Sequence, residues 1–235
     1  MMKSLTSQAG ACVIGASLLI AGAGTAAAQT LTLTNGNATT LRAGSYANTN
    51  FGSMPTLETR ASDSADYVRR ALFKFDTHTT LPQGTPIKSA TLTITVASGS
   101  DAETRTLAAY YETQSYDEFS ATWNNRSSGT SWLKAGGTLG TRYATATITG
   151  TAGTKVSFDV TSMVAAVVRG DFDPSSRYTR IVLVDEGSSS QTSYKAIDSN
   201  SASDASTRPV LTVVTGTGSS STSAGASTPY SGTPV

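Results

Sequence analysis

Hydrophobic positions recur along this chain with a period of two. Ala90, Leu92, Ile94 and Val96 alternate with Thr91, Thr93 and Thr95, which predicts a strand with one buried face. The same alternation runs through Ala144, Ala146 and Ile148, and through Val156, Phe158 and Val160. Residues 72–75, 181–184 and 210–214 are more continuously apolar, as expected of central strands covered on both faces. Residues 31–33 and 107–111 add two more strands. Turn signals separate the runs at Asn35-Gly36, Pro82-Gln83-Gly84, Ser98-Gly99, Gly136-Gly137 and Gly150. One short helix is predicted, capped by Asp159 or Thr161, with Met163, Val164, Val167 and Val168 on its apolar face and Gly170 at its end. Many short strands and a single helix predict an all-β fold: an antiparallel β-sandwich, jelly-roll-like.

The two ends of the chain break this pattern. Lys3, the apolar run over residues 11–23 and the small residues Ala26-Ala27-Ala28 read as an export signal cleaved before Gln29. The run is too short to anchor the protein in a membrane. Cleavage removes the one cysteine, Cys12, so the remainder holds no thiol or disulfide. It also removes one of 17 basic residues and none of the 16 acidic ones, leaving a formally neutral chain. A neutral chain lacks the basic excess that nucleic acid or an anionic membrane surface would call for. Residues 216–235 are almost wholly Gly, Ser, Thr, Ala and Pro, the composition of a linker, and we expect a further domain beyond it. The expected organisation is a signal over residues 1–28, one β-sandwich over 29–215 and a linker over 216–235. The product is expected to be extracellular and monomeric.

Several segments carry a family resemblance. Tyr46-Ala-Asn-Thr-Asn-Phe-Gly-Ser53, Arg70-Ala-Leu-Phe-Lys-Phe-Asp76, and Leu81-Pro82 followed by Ile87-Lys-Ser-Ala-Thr-Leu92 stand in order along the chain. They are followed by Tyr116-Asp-Glu118 with Thr122-Trp-Asn-Asn125, then Phe158-Asp-Val-Thr161 and Arg208-Pro-Val-Leu-Thr-Val213. Together they resemble the DNRLRE domain family, which includes carbohydrate-binding module family 96. The resemblance implies a β-sandwich on secreted or cell-surface proteins that binds a polysaccharide, including acidic ones such as alginate. Two places depart from the pattern. Thr40-Leu41 stand where relatives have an Asp and an aromatic residue, and Tyr116 replaces a Trp.

Candidate chemistry points the same way by what it lacks. His78 is the single histidine and reads as a solvated residue in a Thr-rich turn, so no nucleophile–base arrangement is visible. The adjacent pairs Asp117-Glu118 and Asp185-Glu186 would point apart on strands, unlike the flanking carboxylates of a glycosidase. The domain therefore reads as non-catalytic. No cofactor is expected. Calcium stays open as an alternative, because Asp171, Asp173, Asp198, Asn200 and Asp204 offer hard oxygens that turn chemistry explains equally well. Glycan recognition needs aromatic faces and planar polar groups. The candidates are Tyr46, Asn50, Tyr67, Arg69, Trp123, Asn124, Arg126 and Trp132. Tyr67 and Arg69 share strand parity and are expected to face the same way. Trp123 reads more readily as a core or sheet-capping residue than as a sugar platform, and Arg69 and Arg70 can equally be partners of Asp66 or Glu58. The competing function is a structural or adhesive cell-surface sandwich with no specific glycan.

Overall fold

In a computed structural model, the structure describes residues 25–34, 36–187 and 193–219. The expected signal up to residue 24, Asn35 of the first turn, and the expected linker from residue 220 lie outside the described residues. Ala27–Gly218 carries the fold described below; of a second unit, residues 1–26 and 219–235, the described part is Thr25–Ala26 and Ser219.

The expected strands form, joined by Asn37–Arg42, Thr56–Ala61 and Ser193–Asp198, which the sequence pattern did not announce, and all pair antiparallel. They are β1 (Thr30–Leu33), β2 (Asn37–Arg42), β3 (Thr56–Ala61) and β4 (Arg69–Phe75). A one-turn helix α1 (Thr77–Thr80) leads to β5 (Ile87–Thr95), β6 (Arg105–Glu112), β7 (Leu139–Ile148) and β8 (Lys155–Asp159). Helix α2 (Thr161–Arg169) precedes β9 (Thr179–Asp185), β10 (Ser193–Asp198) and β11 (Val210–Thr215). One sheet has the order β7-β6-β9-β4-β3-β10, with β2 on the other side of β4; the second has the order β8-β5-β11-β1.

The larger sheet forks at β4. Strand β9 follows β4 only as far as Leu183 opposite Ala71, and beyond that point β3 takes its place through Arg60 opposite Arg69. On the other side β2 runs to Arg42 opposite Arg69. Three arginines therefore stand abreast at the fork.

The two sheets face each other across one core. Phe73, Phe75, Leu107, Ile181 and Leu183 meet Leu92, Ile94, Phe158, Leu211 and Val213, and Met163, Val164, Val167 and Val168 of α2 close one side. Leu72 and Val182 point the other way, into a second core. That is why residues 181–184, and residues 72–75 apart from Lys74, read as continuous apolar runs. The run over 210–214 differs from the expectation. Leu211 and Val213 are buried but Val210 and Val214 are only half-buried, because the smaller sheet has its core on one face.

Two local details refine the helix reading. Val160 stands at the N-cap of α2, while Asp159 Oδ1 accepts the Thr161 N–H at 3.0 Å. Gly170 ends the helix with φ 89°, where its N–H reaches Ala166 O and Val167 O. The Thr-rich segment around His78 is α1 itself, capped by Asp76. His78 is half-buried and stacked on Tyr178 at 5.5 Å, which corrects the expectation of a solvated loop residue. At the edge of the smaller sheet, Gln29 and Thr215 clasp each other. Gln29 N–H donates to Thr215 Oγ1 at 2.9 Å, and Thr215 N–H donates to Gln29 O at 2.8 Å.

Candidate functional site

The chain leaves β2 and enters β4 through paired tight turns. Gly44–Tyr46 and Ala65–Tyr67 are single 3-10 turns, bridged where Ala43 N–H donates to Val68 O at 3.1 Å. Gly44 has φ 63°, and a Cβ there would lie 2.6 Å from Asp66 O, so only glycine lets the turns touch. The result is an open cleft of about 170 Å³ lined by Arg42, Tyr46, Arg60, Asp66, Tyr67 and Arg69, among others. Tyr46 and Tyr67 form part of its lining and are 51% and 55% exposed. Phe51 braces Tyr46 edge-on at 6.1 Å.

The three arginines of the fork are not equivalent. Glu58, only 6% exposed, takes Arg42 at 2.6 Å and Arg69 at 2.9 Å, and accepts the Tyr194 hydroxyl at 2.9 Å. Burial, then the neighbouring Glu58 charge, pushes the Tyr194 hydroxyl up to about 12, so it stays protonated and donating. Arg42 lies over Phe51 at 4.0 Å and Arg69 over Tyr194 at 5.3 Å. Burial lowers the Arg42 pKa against the opposing pull of Glu58. Arg60 lies over Tyr67 at 5.1 Å, and its Nε is buried without a hydrogen-bond partner. Among the described residues no carboxylate pairs with its guanidinium. With Glu58 and Asp66 counted against the three arginines, the cleft carries one net positive charge.

The residues that sequence reasoning grouped with these are elsewhere. Residues 113–138 fold over the outer face of the larger sheet, where Tyr116, Ala121 and Trp132 pack on Leu41, Leu72 and Val182. Trp132 is 5% exposed and its indole N–H donates to Thr122 O at 2.8 Å, so it is a packing residue and not a sugar platform. Trp123 is half-buried, lies under Arg70 at 5.2 Å and fills the space beside Gly136, where a Cβ would sit 2.6 Å from its ring. Asn50 donates to Glu118 O at 2.8 Å and Ala121 O at 2.7 Å. Asn124 donates to Asn48 Oδ1 at 2.8 Å, and Arg126 to Ser115 O at 3.0 Å. The Asn50 and Asn124 bonds lock the cover to the loop that follows Tyr46, and the Arg126 bond ties the cover to itself.

Of the eight candidates, Tyr46, Tyr67 and Arg69 come together in the cleft. Tyr67 and Arg69 do line the same cleft, although Tyr67 belongs to the turn and the strand begins only at Arg69. Arg69 does pair with Glu58, while Arg70 instead donates to Gly136 O at 2.7 Å. Arg42, Arg60 and Tyr194 were missed, and Glu58 was named only as a partner of Arg69 or Arg70. The available signal was charge at alternate positions, Glu58 and Arg60, interleaved with Leu57, Thr59 and Ala61, which are buried. The departures from the family pattern fall in packing positions. Leu41 is buried, Thr40 Oγ1 accepts the Glu58 N–H at 3.0 Å, and buried Tyr116 donates to Asn37 O at 3.2 Å.

Most of the acidic groups singled out from the sequence are committed to structure. Glu118 accepts from Asn37 at 2.6 Å, Ala38 N–H at 2.9 Å and Asn200 at 2.8 Å. Asp185 pairs with buried Arg105 at 2.9 Å and Glu186 with Arg142 at 2.7 Å. Asp171 pairs with Arg169, and Asp173 and Asp204 accept from Ser175 and Ser206 within their own turns. No three such groups converge as a metal site among the described residues. No described helix is long and apolar enough to cross a membrane.

The model of carbohydrate-binding module family 96 matches residues 29–215 of this chain. No curated protein matches it.

Proposed function

Because the chain belongs to carbohydrate-binding module family 96, we propose that its arginine–tyrosine cleft binds an acidic, uronate-bearing polysaccharide such as alginate. The observation that carries this reading is Arg60. A guanidinium seated on an aromatic ring, lining an open cleft and without a carboxylate partner, leaves its two terminal nitrogens as a bidentate fork for a ligand. A uronate carboxylate matches its fork. The exposed rings of Tyr46 and Tyr67 offer faces for the C–H side of the sugar, and Ser45 in the lining offers a hydroxyl.

The domain performs no bond-making step in this reading. It holds an attached or associated enzyme on an extracellular polysaccharide. The export signal read in residues 1–28 supports that location. Binding is expected to need no cofactor, since the cleft supplies its own cation.

Affinity electrophoresis through gels containing a polyuronate or a neutral glucan tests this. The polyuronate should retard the protein and the neutral glucan should not. Arg60→Gln and Tyr67→Ala should each lose the retardation by at least about tenfold in apparent affinity. Unchanged retardation in both variants would sink the proposal.

A further inference from the structure

We infer that Glu58 sets the charge specificity of the cleft: by occupying Arg42 and Arg69 it leaves one guanidinium for ligand, so isolated carboxylates enter and densely sulfated chains are turned away. The inference rests on the cleft being the glycan site. Its basis is the unequal use of three arginines that stand abreast at the fork of the sheet.

Without Glu58 those arginines would form a broad cationic patch, suited to any polyanion. Like charges at that spacing repel, and Glu58 is seated among them with Arg42 at 2.6 Å and Arg69 at 2.9 Å. Tyr194 supplies a third donor, so the carboxylate is fully engaged and cannot swing aside without stranding its partners. A first ligand anion at Arg60 displaces no paired carboxylate, although Asp66 lines the same cleft. A second anion placed toward Arg42 or Arg69 meets the fixed negative charge of Glu58 and two cations already paired. Rejection is thus built from the same residue that orders the arginines.

This arrangement also fixes the stoichiometry of charge. One free guanidinium means one anionic group neutralised per cleft. A polyanion densely covered in sulfate gains little from its extra charges, whereas a polyuronate, with one carboxylate per sugar, loses little by the restriction.

The test compares wild type, Glu58→Gln and the double variant Glu58→Gln/Arg60→Gln on a polyuronate, a sulfated galactan and a neutral glucan. Glutamine keeps an acceptor for Tyr194, and thermal unfolding checks the fold. Glu58→Gln should tighten binding to the sulfated galactan by about tenfold and lower the polyuronate-to-galactan affinity ratio. The double variant should keep the gained galactan binding, because Arg42 and Arg69 now carry it. Wild-type affinity for the polyuronate should fall with salt at a log–log slope near one, against about two or more in Glu58→Gln.

Unchanged galactan binding in Glu58→Gln, or loss of the gain in the double variant, overturns the inference. Should Glu58→Gln fail to fold, a wild-type salt slope of about two or more would overturn it alone, and a slope near one would support it. If wild type ignores the polyuronate, the cleft reading fails, while the galactan response of Glu58→Gln still decides the role of Glu58.

Discussion

The cleft and the cover are built from the same materials, tyrosine or tryptophan rings with arginines and glutamates beside them, yet they end in opposite states. In the cover, nearly every polar atom is answered from within. Glu118 takes three donors, Trp132 gives its N–H to Thr122, and Arg126 caps Ser115. In the cleft, two tyrosine rings stay more than half exposed and Arg60 keeps its hydrogen bonds unspent. The difference lies in the scaffold below. The cover lies on Leu41, Leu72 and Val182, an apolar floor that rewards closure, whereas the cleft sits where the sheet forks and its floor is a row of charges. Binding residues are therefore expected where packing could not be completed.

The largest effect that would break this contrast is in the cover. Glu118→Ala leaves Asn37, Asn200 and the Ala38 N–H without their acceptor and should cost about 3–5 kcal/mol, read from urea unfolding. Tyr67→Ala should shift the same curve by less than about 0.5 kcal/mol while abolishing glycan retardation. Equal losses of stability would erase the distinction between the two regions.

A second effect concerns Glu112, buried at the rim of the cover with Oε2 unpartnered and Gly137 packed against it. Burial pushes its carboxyl from the ordinary 4.5 up to about 7, outweighing bonds from Gln114 and Thr138 and the charges of Arg180 and Arg70. The folded state therefore prefers the protonated acid. Its contribution is fully present below about pH 4.5 and is lost as pH rises through about 7. The loss is about 3 kcal/mol at most. Wild type should lose stability against Glu112→Gln over that window, and parallel pH profiles would count against a buried carboxyl under the cover.

The smallest effect sharpens the cleft. Gly44→Ala forces a side chain into positive φ and against Asp66 O, and should cost about 1–2 kcal/mol. Because Tyr46 rides on that turn, glycan affinity should fall with it. Unaltered affinity at reduced stability would remove Tyr46 from the binding surface.

What the sequence disclosed follows the same division. Period-two strands such as Ile87–Thr95 are legible because one face meets water and the other does not. The second core showed only its floor, through Leu72 and Val182 in the continuous apolar runs, and left no trace of its cover. Tyr116, Trp123 and Trp132 lie in irregular chain, where no period announces which ring is buried. Tyr67 and Arg69 were readable from residue type, although Tyr67 precedes the strand and strand parity does not place it. Arg42 and Arg60 were not, since they reach Arg69 only through a fork in the sheet that no local pattern encodes.

The clasp between Gln29 and Thr215 has a mechanical meaning. Strands β1 and β11 run antiparallel, and Gln29 and Thr215 close the same end of their ladder, beside the Thr30–Val214 pair. Force applied between Gln29 and Thr215 acts along the hydrogen bonds and not across them. The ladder would unzip one bond at a time, from Thr30 toward Leu33, and would not shear as a block. Pulled apart at that end, the edge of the smaller sheet would yield gradually, more a shock absorber than a rivet.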